Sequence, residues 1–139
     1  MRSISIKAVF IGTAFGLFLD LLTGIALTLT LGPSALPPGT TVADAEAVLG
    51  SISRQPAFLG WSLVLGALTT VIAGYVGARI AKRLPYMNAA ATGVIGLVLA
   101  ALLADSSLPL WFNALAFASI LPCALVGGHL AKRRQQAEA

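Results

Sequence analysis

Charge is what this chain is short of. Charged side chains make up 10% of its 139 residues, where a soluble domain carries about a quarter. Too few remain to cover a surface facing water, so the solvent for most of that surface is lipid. Cysteine occurs once, as Cys123 inside an apolar stretch, which excludes an intrachain disulfide. With one histidine and five acidic residues, there is little material for an active site. No nucleophile–base pair, ligand-spaced His/Cys/carboxylate set or phosphate loop occurs, so no catalytic residue, metal or cofactor is expected. Aromatics stand at 7% and leave few side chains able to fill wide gaps between helices.

Apolar residues, by contrast, make up 58% of the chain, and the mean hydropathy is +0.91. The net charge of +4 and a pI near 9.9 would suit a nucleic-acid binder. The basic residues are not spread over a domain, however. They stand in three short clusters at the ends of apolar runs, as lipid-headgroup contacts do, so the expected partner is a bilayer and not nucleic acid.

A helix needs about 20 apolar residues to cross about 30 Å of hydrocarbon. Four runs qualify, at about 8–31, 58–80, 87–104 and 110–130. They are punctuated by Gly32-Pro33, Pro56, Lys82-Arg83-Leu84-Pro85, Asp105-Ser106-Ser107 and Pro109. The expected fold is all-α, a single integral-membrane four-helix bundle, with the tight second and third connections forcing antiparallel neighbours. A secretory signal peptide would explain Arg2 and Lys7. The first run is too long for one, holds Asp20 and lacks a small-x-small cleavage site.

Of nine basic residues, Arg2, Lys7, Arg79, Lys82, Arg83, Lys132, Arg133 and Arg134 fall on one side of this layout and only Arg54 on the other. The positive-inside rule places both termini in the cytoplasm. The connection between the first two spans is irregular at Gly32-Pro33 and Pro37-Pro38-Gly39. A capping box at Thr41 and Asp44 then opens a short amphipathic helix over about 42–53, expected to lie on the outer membrane face, where it covers the helix ends or docks a partner.

The second and fourth spans end alike. Tyr75-Val76-Gly77-Ala78-Arg79-Ile80-Ala81-Lys82-Arg83 aligns with Leu125-Val126-Gly127-Gly128-His129-Leu130-Ala131-Lys132-Arg133. More weakly, Gly16-Leu17-Phe18-Leu19 aligns with Gly96-Leu97-Val98-Leu99. The reading is two parallel-repeat hairpins related about the membrane normal. Asp20 then corresponds to Ala100, and Arg79 to His129.

Helices solvated by lipid pack closely only through small side chains. The first span steps through Gly12, Gly16, Asp20 and Gly24, and the second through Ala73, Gly77 and Ala81. The third offers Ala89 with Gly93 and Thr92 with Gly96, the fourth Ala124 with Gly128. These faces are expected to hold the bundle together and to serve a further protein contact or self-association.

Asp20 lies about 20 Å along the helix from Lys7, close to mid-membrane. An aspartate there costs roughly 2.5–3.5 kcal/mol on insertion, which the surrounding Leu, Ile, Phe and Val residues outweigh. It shares a face with the glycines and is expected to point at protein. No cation stands at its depth. Its candidate partners are Thr69 and Thr70 on the second span and Ser119 on the fourth, where Pro122 frees a carbonyl. Asp20 is either a hydrogen-bonded packing residue or a proton- or cation-coupling group. His129 reads as an interfacial side chain, and Trp61, Trp111 and Tyr86 as interface anchors.

The helix ending Ala73-Gly74-Tyr75-Val76-Gly77-Ala78-Arg79-Ile80-Ala81-Lys82-Arg83 resembles one in several uncharacterised bacterial families of small four-helix membrane proteins. That resemblance implies a bacterial inner-membrane protein without an assigned role. The layout is also similar to that of small multidrug transporters, whose first helix carries an essential carboxylate, here Asp20. The chain departs from them in having aspartate for glutamate, a long outer loop and a strong charge bias. Two functions are expected from these features: a non-catalytic accessory or scaffold subunit, or a small proton-coupled transporter or channel using Asp20.

Overall fold

A computed structural model describes residues 4–32, 41–104 and 107–138. Arg2, the Pro33 and Pro37-Pro38-Gly39 punctuation and the Asp105-Ser106 stop lie outside the described residues. The chain is all-α: α1 (Ile6–Leu31), α2 (Val42–Ser53), α3 (Pro56–Ala81), α4 (Pro85–Leu102) and α5 (Leu110–Ala137). α1, α3, α4 and α5 are each long and apolar enough to cross a membrane. They make a multi-pass membrane four-helix bundle.

Local chemistry sets the helix ends. The Ser5 hydroxyl accepts from the Ala8 amide to start α1. Pro56 and Pro85 occupy the first positions of α3 and α4, where a missing N–H costs nothing. Thr41 and Asp44 form the reciprocal capping box of α2. α5 runs past the end of its apolar stretch to Ala137. Lys132, Arg133, Arg134, Gln135 and Gln136 are good helix formers, and the edge of a bilayer is not by itself a helix stop.

The turn between α3 and α4 is tight. Lys82 and Leu84 both adopt left-handed backbone, at φ 54° and 50°, which a non-glycine residue enters only when its surroundings hold it there. Asn88, completely buried, does so. Its Nδ2 donates to the carbonyls of Arg83 (2.9 Å) and Leu84 (3.0 Å), and its Oδ1 accepts from the Ser5 amide at 2.9 Å. One side chain thus ties the start of α1 to the α3–α4 turn.

α3 is central and packs on α1, α4 and α5, whereas α1 and α5 do not touch among the described residues. Packing is concentrated toward the end that carries Lys7, Arg79, Lys82, Arg83 and Lys132, hereafter the basic end. There α1 buries Gly12 and Gly16, and α3 buries Ala73, Gly74, Gly77 and Ala78. α4 buries nothing beyond Gly93, and α5 nothing before Ala124. Small residues let backbones approach at the basic end, whereas at the other end the buried side chains are the larger Leu27, Ile52 and Leu59. The bundle is packed more tightly at the basic end, where a groove of about 550 Å³ still lies between α1 and α4, than at the opposite, splayed end.

α2 touches the bundle by its C-terminal part. Ile52 is buried, while Val42 and Leu49 stay exposed, so most of its apolar stripe is uncovered by the chain.

Candidate functional site

The contact between α1 and α3 is an antiparallel ladder whose rungs are four residues apart. At Gly12, a Cβ would lie 2.9 Å from the Ala73 carbonyl oxygen and 3.0 Å from the Gly77 Cα. Nothing larger than hydrogen fits there without moving backbone. One turn on, a Cβ at Gly16 would stand 2.8 Å from the Ala73 methyl. The next rung sets Asp20 against Thr69, whose hydroxyl donates to Asp20 Oδ1. The rung after that would face Gly24 toward Leu65, but a Cβ at Gly24 meets nothing within 4 Å. Gly24 therefore does not belong to the packing face read from its spacing, although Leu27, further along α1, is buried again.

Asp20 thus sits at the fork where the ladder opens. Among the described residues Thr69 is the one hydrogen-bond partner of its carboxyl, and much of the residue remains exposed. The Thr69 oxygen is also 3.0 Å from the Gly66 carbonyl. One hydroxyl proton faces two acceptors. With Asp20 ionised, Thr69 donates to the carboxylate. With Asp20 protonated, the acid donates to Thr69, which turns its own proton to Gly66. Both states leave the pair satisfied, so Thr69 accommodates a proton arriving or leaving.

Two cavities inside the bundle meet here, and Asp20 also lines a third, outer groove of about 370 Å³ between α1 and α2. One of about 250 Å³ lies among all four long helices and is lined by Thr13, Asp20, Thr70, Thr92 and Ile120, reaching Leu103 beyond the end of α4. The other, about 190 Å³, runs between α3 and α5 and is lined by Asp20, Ser62, Thr70, Phe112, Ser119 and Ile120. Both extend toward the splayed end. The structure thus gathers Asp20, Thr69, Thr70 and Ser119 in one region, although Thr70 and Ser119 do not bond to the carboxyl. They donate instead to Gly66 and Ala116 carbonyls on their own helices, at 2.7 and 2.8 Å.

The other small residues divide by depth. Gly77 faces Ala8 and Thr92, Gly93 faces Ala124, and Gly128 faces Ala89, all in close contact, whereas Gly96 has ordinary clearance from Ile120. α3 and α5 cross at Gly74 and Ala124, and Gly127 lies against the Val71–Tyr75 backbone.

At the basic end Arg79 pairs with Glu138 at 3.0 Å, and Arg134 pairs with Glu138 at 3.4 Å. The adjoining guanidinium of Arg79 holds the Glu138 carboxyl below the usual carboxylate range. The Tyr86 hydroxyl is 2.7 Å from His129 Nδ1, and Lys132 Nζ stands 5.2 Å from the centre of the Tyr86 ring. Lys82, Arg83 and Arg133 are exposed. Among the described residues no group of His, Cys, Asp and Glu could hold a metal.

Sequence reasoning did not single out Asn88, Thr13 or Glu138. Asn88 had a usable signal, since Asn88, Thr92 and Gly96 follow one another at four-residue steps and share a face. Thr13 had none: its place beside the cavity depends on how far α1 stands from α4. Neither a protein-family model, nor a curated protein, nor a solved structure matches this chain.

Proposed function

We propose that this chain is a small proton-coupled transporter or channel of the bacterial inner membrane, non-catalytic in the enzymatic sense, working through Asp20. One observation carries the reading. A mid-span carboxyl lies where two cavities meet, between a splayed end and a more tightly packed one. An ionisable group at membrane depth that faces a cavity marks a proton or ion route. A vestibule narrower on one side is compatible with one state of alternating access. Eight of nine basic residues on one side support a cytoplasmic basic end with both termini inside, and so a vestibule that opens outward.

The two-hairpin reading agrees with this arrangement. Ala8 and Gly12 oppose Ala73 and Gly77 in the first hairpin, as Ala89 and Gly93 oppose Ala124 and Gly128 in the second. The crossing of Gly74 with Ala124 joins positions that the sequence alignment equates. The hairpin contacts are displaced by one residue from that alignment, and α3 meets α4 while α1 misses α5. A duplicated hairpin whose halves have diverged fits these contacts, with the carboxyl kept in one half.

The test is proton flux into liposomes reconstituted with the protein, under an imposed potential and read with an enclosed pH dye. Asp20→Asn should abolish a flux present in wild type while leaving the circular dichroism spectrum unchanged. Equal flux in both proteins overturns the proposal.

A second reading, an accessory or scaffold subunit of a homo-oligomer or larger membrane complex, has its own observation in favour. Leu21, Leu22, Gly24, Ile25 and Leu29 of α1 are exposed beyond Asp20, and a carboxyl partly exposed at mid-membrane calls for cover. Blue-native electrophoresis after mild solubilisation addresses it: a monomeric band from native membranes removes this reading.

A further inference from the structure

The groove of about 550 Å³ between α1 and α4 opens on the outside of the bundle at the basic end. Ile6, Phe10 and Leu17 line it from α1 and Ala91, Ile95 and Leu99 from α4, with Thr13 its one polar residue. From Ile6 to Leu17 the helix rises about 16 Å, half of the roughly 30 Å of hydrocarbon in a bilayer. The groove is therefore as long as one leaflet is deep, and it begins at the helix end, where the headgroups of that leaflet lie.

Cations flank its mouth. Ser5 stands between Ile4 and Ile6, which both line the groove. The Ser5 amide donates to Asn88 Oδ1 at 2.9 Å, and Asn88 Nδ2 donates to the Arg83 carbonyl at 2.9 Å. Two hydrogen bonds thus fix Arg83 beside the groove wall, and Lys7 follows Ile6 directly. Lys7 and Arg83 are both exposed, and among the described residues neither side chain has an acidic partner. Glu138, the one acid of this end among the described residues, pairs with Arg79 and Arg134.

We propose that this groove holds one anionic phospholipid, an acyl chain lying between α1 and α4 and the phosphate at Lys7 and Arg83. Basic residues at a gap between membrane helices attract anionic headgroups, and a guanidinium meets phosphate through two parallel N–H bonds. The apolar wall below them takes the chain. A second copy of this protein fits the mouth poorly, because its own basic end brings like charges and its Glu138 is already paired. Free phosphate leaves the apolar wall uncovered. The inference is independent of Asp20 and of any proton route.

Native mass spectrometry of the purified protein in a non-ionic detergent tests the site, with phosphatidylglycerol and phosphatidylcholine of identical chains titrated separately. One phosphatidylglycerol should bind saturably and more tightly than phosphatidylcholine. Lys7→Gln and Arg83→Gln should each weaken it about fivefold, the effect of one cation near an anionic headgroup. Arg133→Gln, exposed on α5, should leave the affinity unchanged, which separates a built site from diffuse attraction to the basic end. Ala14→Phe places a ring in the groove from an exposed position and should lose most of the binding with every cation in place. The side chains of Lys7, Arg83 and Ala14 are exposed, so none of these changes disturbs buried packing. Equal affinity for the two lipids overturns the proposal. So does a loss in Arg133→Gln as large as in Arg83→Gln, or undiminished binding by Ala14→Phe.

Discussion

Asn88 spends three of its four hydrogen-bonding positions on the backbone of two separate segments. Replacing it with alanine leaves the Ser5 amide and the Arg83 carbonyl without their partner and releases a turn that holds two left-handed residues. Asn88→Ala should lower stability by about 1–3 kcal/mol, the usual cost of stranding buried polar groups. Unfolding by SDS in mixed micelles measures this, and a change under about 0.5 kcal/mol, within the range of ordinary surface substitutions, would show that the turn holds itself. Glu138 behaves differently because it is exposed. Its carboxyl titrates below the usual range beside Arg79, so the link between the α5 tail and α3 is in place above that range and is lost as pH falls through the lowered value. A spin label at Gln136 should gain mobility over that acid window, and in Glu138→Gln it should be mobile at neutral pH. Mobility independent of both changes would mean that Gln135, which donates to the Ala78 carbonyl, pins the tail without help from the ion pair.

Among the elements, α1 carries one repeated pattern with two outcomes. Gly12 and Gly24 look equivalent in sequence, yet one lies against α3 backbone and the other faces open space. Gly12→Ala should destabilise by about 1–3 kcal/mol through forced separation of α1 and α3. Gly24→Ala should be neutral or stabilising by up to about 1 kcal/mol, since alanine is the better helix former and meets no neighbour. Equal losses at the two positions would place α1 against a partner along its whole length, the result that the accessory-subunit reading requires. Helix existence and type were legible because hydropathy, prolines and the Thr41–Asp44 box are local signals. The continuation of α5 to Ala137 was not, because the change from apolar to basic marks a bilayer edge and leaves backbone propensity untouched.

For the molecule as a whole, the difference in packing between the basic and splayed ends bears on what Asp20 can exchange with. A carboxyl in a run of leucines is conspicuous in sequence, and Thr69 follows from matching depths on two antiparallel spans. The cavities do not follow. They depend on side-chain volumes from four helices, which set Gly74 against Ala124 at one level and leave open space lined by Leu99, Leu103 and Phe112 at another. If the splayed end is hydrated and faces outward, water-soluble reagents should reach the carboxyl region from outside only. In a Cys123→Ala background, Ser62→Cys and Ser119→Cys are close in shape to the native side chains and line the same cavity as Asp20. Both should react with a membrane-impermeant thiol reagent applied to intact spheroplasts, and slowly or not at all in inverted vesicles. The order of rates should follow depth, with Ser62→Cys ahead of Ser119→Cys. Faster labelling in inverted vesicles would reverse the orientation drawn from the basic residues. Absence of labelling at Ser119→Cys from either side, with Ser62→Cys reactive, would mean that hydrocarbon and not water fills the space beside Asp20, and the carboxyl would then have no aqueous route for a proton.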